Sequence, residues 1–527
     1  MIRYLSHLGI KLSCYGSDRR FRRQSGQLEA VQRRKLDQIL SRVILENGSS
    51  VQNYDELRAL PLIRYKQVKT RIEQSRLGKQ RLSRSPIVRY QPTSGSSESI
   101  KFIPYTKGFL SELDSAIGPW LMSMYRQFEG MDRGKHYWSV SWLPESQRAV
   151  LEGENLNDDS ALLGLTKRIL SKYTQTVPSE VAFASDADDA LFATLCYLVA
   201  DESLGMISVW SPTFALQLFE QLNAHAEEIA LALTKGSWGD RASNLELLTA
   251  PHAPKRAGLL SALSTDAKAS SSGQIDLSKL WPKLTLVSSW DTAGAKPWAK
   301  ILKDMVPHSG FEGKGLWATE GVVTIPYDGH YPLAYQSHFY EFERLSDGEI
   351  LPSWELKLGD DVSPIISSDN GLLRYCMDDH IRVVSFMGEV PCFEFQGRRF
   401  GVDLVGEKLD PSVAVKVMGE LSSDSIKPIS LLAVDTQGKA KPYYIALFEG
   451  EKQHAPQARD LDQLLKAHFH YELARDLGQL AEPQVLMAAD GWKAYKSLAV
   501  RDGMIEGNIK PEPLKKIAME ALNDTGV

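Results

Sequence analysis

Apolar residues recur at steps of three and four residues in several stretches of the chain, and this spacing predicts amphipathic helices. Residues 28–45 and 107–128 show it clearly. A third stretch begins near Asp188, where acidic residues suit the start of a helix. A fourth follows Ser211 and Pro212, residue types that begin helices, and we expect one long helix there.

Short runs of β-type residues alternate with these helices, notably at residues 204–210 and 284–290. This alternation is typical of parallel α/β units. Residues 255–274 are rich in Ser and Ala and are expected to form a surface insertion. From about residue 354 onward, strand-like runs follow one another with tight turns between them, which predicts a β-rich layer that ends with a run at 401–406.

The last third of the chain predicts a smaller α+β unit. Residues 429–436 and 442–450 suit a pair of hairpin strands, and a helix over 460–480 and a strand over 484–489 follow them. A length of 527 residues also exceeds what one compact core normally holds. We therefore predict an α/β fold with a large multi-layer N-terminal domain, residues 1–396, with mixed sheets and flanking helices. A small α+β C-terminal domain, residues 397–527, completes it.

Composition excludes several classes of partner. A net charge of −5 does not favour binding to nucleic acid or to an anionic membrane. No apolar run reaches the roughly 20 residues that a membrane span needs. The four cysteines are scattered, with no CxxC pair and no neighbouring histidine pair, which argues against zinc and fits a reducing cytoplasm. Residues 3–23 carry six basic side chains, and we favour a solvated first helix over a targeting segment.

The first candidate for chemistry is the loop of residues 93–97, Thr-Ser-Gly-Ser-Ser. Its small residues let the backbone approach a ligand, and hydroxyls with successive N–H groups can hold phosphate oxygens. Lys101 adds a cation just beyond the loop. The sequence does not match the common GxxxxGK[ST] phosphate loop, and such turns occur widely, so the loop alone is weak evidence.

Four further stretches strengthen the evidence for a functional site. They are WDTAGA at 290–295, GLWATEGV at 315–322, GLLRYCMDDHIRV at 371–383 and GNIKPEPL at 507–514. Their order and spacing, together with the loop, Lys101 and Ile103-Pro104, resemble the acyl acid amido synthetases, the Gretchen Hagen family of adenylate-forming enzymes. The resemblance covers nearly the whole chain. It implies a small C-terminal domain that moves relative to the large one.

The resemblance also implies a nucleotide site. Its residues would be Ser94, Ser96 and Ser97 at the phosphates of ATP, Gly294 and Ala295 near the adenine, Asp379 at the ribose hydroxyls, Arg398 near the hinge and Lys408 in the small domain. Three catalytic roles follow in the same way. Thr319 would contact phosphate or the acyl carboxylate, Glu320 would hold Mg²⁺, and Lys510 would neutralise charge on the α-phosphate. Trp120 and Trp142 are the candidates for the acyl pocket.

The implied reaction activates a carboxylic acid with ATP to acyl-AMP and then transfers the acyl group to an amine, expected to be an amino acid, in a monomeric enzyme. An acyl-CoA ligase on the same scaffold is an alternative. A non-catalytic nucleotide-binding relative is another, because Glu98, Cys376 and Asp378 depart from the family pattern. Each catalytic candidate taken singly also suits a structural role. The joint presence of Glu320, Asp379 and Lys510 favours an enzyme.

Overall fold

The computed structural model of the chain describes residues 2–45, 48, 50–92, 101–140, 142, 172–270, 273–292, 295–399, 401–402, 404–405, 407, 409–436, 439–476, 479–502, 504 and 509–522. The α-helices in these ranges are α1 (Ile2–Arg23), α2 (Leu28–Leu40), α3 (Tyr54–Ala59), α4 (Tyr65–Arg76), α5 (Lys107–Gln127), α6 (Ala187–Ala200), α7 (Pro212–Ala224), α8 (Ala226–Lys235), α9 (Pro254–Ala269), α10 (Leu277–Leu280), α11 (Lys296–Met305), α12 (Pro411–Glu420), α13 (Ala458–Lys466), α14 (Phe469–Asp476) and α15 (Gly491–Arg501). The strands are β1 (Ile87–Pro92), β2 (Phe102–Thr106), β3 (Lys135–Trp138), β4 (Leu204–Ser208), β5 (Leu286–Ser289), β6 (Gly310–Gly313), β7 (Trp317–Ala318), β8 (Gly321–Val322), β9 (Phe339–Arg344), β10 (Ile350–Pro352), β11 (Asp361–Ser367), β12 (Tyr375–Cys376), β13 (Asp379–Met387), β14 (Val390–Arg398), β15 (Lys427–Asp435), β16 (Tyr443–Glu449), β17 (Gln484–Ala488) and β18 (Leu514–Ala518).

A parallel sheet with the order β3-β4-β5-β6 forms the centre of the large unit. Strand β4 is buried along its whole length, as expected for a strand covered on both faces. Helices α6 to α9 share one hydrophobic core with this sheet. The parallel α/β units predicted from the alternation of strands and helices are therefore confirmed.

The expectation of a surface insertion at residues 255–274 was wrong. Most of that segment is helix α9, whose Ala257, Leu260, Leu263 and Ala267 are buried in the core beside the sheet. Small residues at three- and four-residue steps let this helix pack closely, and Pro254 begins it. The Ser- and Ala-rich composition of this segment therefore reflects close packing of a helix in the core.

Three predicted helices end earlier than expected. The helix after Ser211 is two helices, α7 and α8, separated at His225, and the helix over 460–480 is likewise α13 and α14. Helix α2 ends at Leu40, because Val43 pairs with Ser83 in an isolated β-bridge and draws the chain away. Each break follows from tertiary contacts or local backbone geometry that apolar spacing does not reveal.

The predicted β-rich layer is an antiparallel sheet with the path β10-β9-β11-β13-β14, in which β12 pairs with β11. Within the strand-like run at residues 371–377, only Tyr375 and Cys376 form a strand, since Gly371 and Arg374 adopt positive φ. The run at 401–406 does not form a strand in its described residues, where Val402 makes one isolated bridge to Leu409.

The C-terminal unit contains a sheet with the order β17-β16-β15-β18, which includes the predicted hairpin pair β15 and β16. Two hydrophobic cores flank this sheet, and their buried members all lie between Val402 and Ile517. This distribution supports a domain boundary near residue 397, which remains a prediction. The indole rings of Trp298 on α11 and Trp492 on α15 lie 5.8 Å apart and join the two units.

The first helix, α1, packs against α5 through buried residues such as Ile10, Cys14 and Phe21.

Among the described residues, no helix is long and apolar enough to cross a membrane.

Candidate active site

Several predicted site residues lie outside the described residues, namely Ser94, Ser96, Ser97, Gly294 and Lys408, as does Glu98. Of Arg398 only the backbone is described, at the end of β14. Ala295 is buried just before α11, and its N–H donates to the carbonyl of Thr292 at 3.1 Å. The geometry of the site therefore rests on the remaining candidates.

Thr319 and Glu320 form the turn between the short strands β7 and β8. Two tyrosines hold this turn. The hydroxyl of Tyr105 donates to the Thr319 carbonyl at 3.0 Å, and the hydroxyl of Tyr375 donates to Glu320 Oε1 at 3.2 Å. Burial, and then the neighbouring Glu320 carboxylate, raise the pKa of Tyr375 far above its ordinary value. The hydroxyl thus stays protonated and can orient the carboxylate.

Tyr375 lies four residues before Asp379 in the chain, so its hydrogen bond brings Glu320 to the segment that carries Asp379. Asp379 is the first residue of β13, it is 7% exposed, and its register partner on β14 is Arg398. The structure therefore brings together two motifs, 317–320 and 375–379, that the sequence keeps more than fifty residues apart.

Asp378 stands where the resemblance expects a glycine. Its φ of 56° lies in the left-handed region, which glycine enters freely and which aspartate tolerates better than most residues. The Arg64 guanidinium forks its carboxylate, with Nε 2.9 Å from Oδ2 and Nη2 2.9 Å from Oδ1. This substitution is compatible with the backbone turn before Asp379.

A row of four residues crosses the carboxyl ends of the parallel strands. Trp138, Ser208, Ser288 and Glu312 are successive register partners on β3, β4, β5 and β6, and we call them the carboxyl-end row. Register partners in a sheet project to the same face. In open α/β sheets, ligands bind in the crevice outside these strand ends.

Lys314, just beyond β6, projects over this row. Its Nζ donates to Ser208 Oγ at 2.6 Å and lies 5.3–5.8 Å from the ring centroids of Trp120, Trp138 and Trp210. A cation at this distance from ring faces is attracted by their negative centres. The ammonium is thus held within an aromatic enclosure and is 4% exposed.

Glu312 closes the other end of the row. Its Oε2 accepts a hydrogen bond from Trp120 Nε1 at 2.9 Å. Burial raises the pKa of this carboxyl to about 7, against the opposing effects of the Trp120 hydrogen bond and the Lys314 charge. The Trp317 ring lies 6.1 Å from that of Trp120, which places the row beside the 317–320 turn.

The two predicted pocket tryptophans lie in different surroundings. Trp120, on α5, faces the carboxyl-end row. Trp142 donates from Nε1 to the carbonyl of Ala184 at 2.8 Å and packs against the core formed by the sheet and its helices. No contact between the two rings is observed in the described part of the chain.

Lys510 reaches the same edge of the sheet from the C-terminal unit. Its Nζ lies 5.8 Å from the ring centroid of Trp210, the tryptophan that also borders Lys314. The Tyr495 hydroxyl donates to the Lys510 carbonyl at 3.2 Å and holds the segment in place. The two units are therefore closed on each other at the strand ends.

Comparison with known proteins identifies the family of this chain. The GH3 family N-terminal domain matches residues 18–311, more than half of the chain, and the GH3 family central domain matches residues 331–398. The chain belongs to the GH3 family. A curated relative, the indole-3-acetic acid-amido synthetase GH3.15 of Arabidopsis thaliana, is 20% identical over 408 residues, which are 71% of this chain and 67% of the relative.

Solved structures of GH3 proteins share the fold. The AtGH3.15 acyl acid amido synthetase in complex with 2,4-DB superposes with a TM-score of 0.77 at 16% identity, covering 97% of this chain and 95% of that one. A second GH3.15 acyl acid amido synthetase structure gives 0.71 at 17% identity, covering 94% and 93%. The family resemblance and the fold class predicted from the sequence are confirmed.

Sequence reasoning about this GH3 protein did not single out Ser208, Trp210, Glu312 or Lys314. One signal was present in the sequence. Glu312 and Lys314 are two charged residues spaced by two at a strand end, a spacing that places both on one face. Ser208 and Trp210 carried no comparable signal, because only the sheet order brings them beside β6.

Proposed function

We propose that this GH3 protein is an ATP-dependent ligase that joins a carboxylic acid to an amine, with an amino acid as the acceptor. The acid's carboxylate attacks the α-phosphate of ATP, forming acyl-AMP and releasing pyrophosphate. The amine then attacks the acyl carbon and releases AMP. The observation that carries this proposal is Lys510, which the small unit presents at the strand ends beside Trp210. The relatives named acyl acid amido synthetases support the same chemistry.

The nucleotide would lie along the motifs that Tyr375 joins. Asp379 would accept from both ribose hydroxyls, a task suited to an acceptor-only carboxylate. We assign the phosphates to Ser94, Ser96 and Ser97, and the adenine to the neighbourhood of Gly294 and Ala295. We place Arg398 and Lys408 beside the nucleotide, near the hinge.

The residues present fit a Mg²⁺ ion that arrives with ATP. Among the described residues no group of three or more His, Cys, Asp or Glu side chains could form a metal cage. Magnesium is usually bound through one or two carboxylates plus substrate phosphates and water, so a single Glu320 next to the nucleotide is sufficient. Bound there, the ion would neutralise phosphate charge. Tyr375 would orient Glu320, and Thr319 would contact phosphate or the acyl carboxylate.

We also place the protein in the cytoplasm as a monomer. All four cysteines, Cys14, Cys196, Cys376 and Cys392, are free and buried, as is usual in a reducing compartment. The candidate site is assembled from one chain, since Lys510 and the carboxyl-end row belong to the same molecule.

The decisive experiment is ATP–pyrophosphate exchange with a panel of carboxylic acids. We expect acid-dependent exchange in the wild type. Asp379→Ala should weaken nucleotide binding by about 10- to 100-fold, the equivalent of a lost charge-assisted hydrogen bond worth about 1.5–3 kcal/mol. Nucleotide binding without exchange for any acid would indicate a non-catalytic relative. Turnover with coenzyme A but with no amino acid would identify an acyl-CoA ligase instead.

A further inference from the structure

The first helix, α1, is apolar on two opposite faces. One face, which includes Ile10, Cys14 and Phe21, is buried in the core of the large unit. The other face bears large apolar side chains that are exposed, and we call this face the outer stripe. Its members are Ile2, Tyr4, Leu5, Leu8, Leu12 and Tyr15. A helix that is apolar on all sides is normally covered on all sides, so the outer stripe indicates a contact surface.

The outer stripe is continuous along the helix. Leu5, Leu8, Leu12 and Tyr15 follow one another at steps of three, four and three residues, so their side chains lie on one side of α1. Leu12 is 69% exposed. From its first to its last member the stripe is about 20 Å long at the usual helical rise. Single exposed leucines are common on protein surfaces, whereas an exposed apolar patch of this extent marks an interaction site.

The stripe leads into a basic cluster at the end of the same helix. Arg19, Arg20 and Arg23 are exposed, and none of them forms an ion pair with a residue that the structure describes. The helix has six basic side chains and one acidic side chain, Asp18, which is buried and paired with Arg22. The net charge of −5 for the whole chain therefore conceals a positive charge that is local to α1.

An open cleft lies at the opposite end of the stripe. It is lined by Ile2, Arg3, Tyr4 and Arg133. Arg3 Nη1 donates to Ser203 Oγ at 2.5 Å, which holds one guanidinium beside the exposed apolar side chains. The nearby Asp132 carboxylate is neutralised by Lys11 Nζ at 2.9 Å. Basic side chains thus lie at both ends of the stripe.

Charge determines which partner fits this face. A second copy of the chain would place its own α1 antiparallel on the stripe, so that the basic cluster of each copy would lie beside Arg3 of the other, and like charges would repel. An anionic lipid surface has the opposite charge and an apolar layer directly beneath it. The long arginine side chains can reach lipid phosphates while leucine and tyrosine side chains enter the acyl boundary.

We propose that α1 is an interfacial helix that binds the protein reversibly to anionic membranes. The helix lies in the plane of the bilayer surface, with the outer stripe at the boundary of headgroups and acyl chains and with Arg19, Arg20 and Arg23 at lipid phosphates. The match to the GH3 family N-terminal domain begins at residue 18, after the outer stripe. Membrane binding is therefore a property of this helix, separate from the ligase chemistry.

The first test is flotation of the purified full-length protein with lipid vesicles. One set of vesicles is pure phosphatidylcholine, and the other contains about one-third phosphatidylserine. We expect partition onto the anionic vesicles to be about 100-fold stronger, since each of three arginines near such a surface contributes about fivefold. The preference should weaken as salt is added, because exposed charges are screened.

Two leucines with the same exposure test the apolar contact. Leu12 and Leu247 are each 69% exposed, and glutamine at either position keeps a side chain that suits a helix or a surface. Leu12→Gln should weaken partition by about 10-fold because it removes an apolar side chain from the lipid boundary. Leu247→Gln is the control and should bind like the wild type. Leu5→Gln is a second variant of the stripe, and thermal midpoints verify that each variant is folded.

Two triple variants with the same change in net charge test the basic cluster. The first is Arg19→Gln/Arg20→Gln/Arg23→Gln, which should abolish the preference for anionic vesicles. The control replaces three exposed lysines elsewhere, Lys268→Gln/Lys300→Gln/Lys427→Gln, and should keep the preference. Equal loss in both triple variants would show that total charge, and not α1, governs binding.

Three further results would overturn the proposal. The first is a wild type that does not float with anionic vesicles at low salt. The second is flotation that the Leu12, Leu5 and triple-arginine variants leave unchanged. The third is a dimer in sedimentation velocity that Leu12→Gln dissociates, since a second copy of the chain would then cover the outer stripe.

Discussion

At the scale of single residues, the Glu312 carboxyl has an unusual environment within the candidate site. A carboxyl that is almost fully buried would ordinarily be avoided or fully paired. Here one oxygen accepts from Trp120, the other has no partner among the described residues, and Lys314 is near enough to offset part of the burial. The Glu320 carboxylate is likewise held by a residue from a distant segment, Tyr375.

Burial of Glu312 also predicts a pH dependence of stability. Burial raises its pKa to about 7 from an ordinary 4.5, so between these values the folded chain holds a proton that the unfolded chain has released. The stability contributed by this group is therefore present below about pH 4.5 and lost as the pH rises toward 7, by about 3 kcal/mol at about 1.4 kcal/mol per pKa unit. Glu312→Gln should remove that loss.

The measurement is the thermal midpoint of wild type and Glu312→Gln from pH 5 to 8. The thermal midpoint of Glu312→Gln should rise relative to that of the wild type as the pH rises. The control is Glu349→Gln at an exposed carboxylate, and its midpoint should differ from that of the wild type by a constant amount over this range. Parallel curves for Glu312→Gln would show that the carboxyl does not carry the proton to pH 7.

At the scale of elements, helix α5 connects the fold to the site. Thr106 caps its start by accepting from the Phe109 N–H at 3.0 Å, while its hydroxyl donates to the buried Asp369 at 2.7 Å. Asp369 is also bound by Ser83, Ser85 and Arg42, so the helix start is tied to three other segments. The same helix carries Trp120 to the carboxyl-end row, and its placement therefore sets the position of the indole that donates to Glu312.

A pair of helical glycines tests this attachment. A Cβ added at Gly108 would lie 2.2 Å from the Asp369 carboxylate, which cannot move without losing its other partners. Gly108→Ala should destabilise the protein by about 1–3 kcal/mol through overpacking. Gly16→Ala in α1 has no atom within 4 Å of the new Cβ and should stabilise by about 0.5–1 kcal/mol. Denaturant unfolding measures both, and similar effects at the two sites would refute the role of Asp369.

At the scale of the whole molecule, the two units meet at the edge where the parallel strands end. Trp298 packs on Trp492, and Lys510 lies beside Trp210. This closed arrangement suits the first of the two proposed steps, in which a cation must reach the α-phosphate. Rotation of the small unit would carry Lys510 away and admit the amine, as hinge motions commonly allow one site to serve two steps.

Lys510→Ala should therefore slow acyl-adenylate formation by about 10²–10³, the usual cost of one lost group that stabilises developing charge. Aminolysis of supplied acyl-AMP should be nearly unchanged, since the leaving AMP needs no help from the closed unit. Lys493→Ala, an exposed lysine of the same unit, is the control and should affect neither half-reaction. Equal slowing of both halves would mean that the lysine is not specific to the first step.

The sequence by itself determined the features that depend on residues close together in the chain. The helix starts near Asp188, at Lys107 and at Pro212, the alternation that builds the parallel sheet, and the order of the short motifs are all local patterns. The motifs identified the family and named Thr319, Glu320, Asp379 and Lys510. Where local pattern misled, as in the Ser- and Ala-rich helix α9, the burial of its small side chains was decided by the sheet beside it.

Only the tertiary structure decided which residues form the carboxyl-end row. Its four residues come from four strands, and an isolated serine or tryptophan carries no sign of its register partner. The orphaned oxygen of Glu312 and the closed position of Lys510 likewise arise from packing between distant segments. Desolvation and pairing depend on residues that the fold brings together, so the chemistry of this row is visible only when the strands lie side by side.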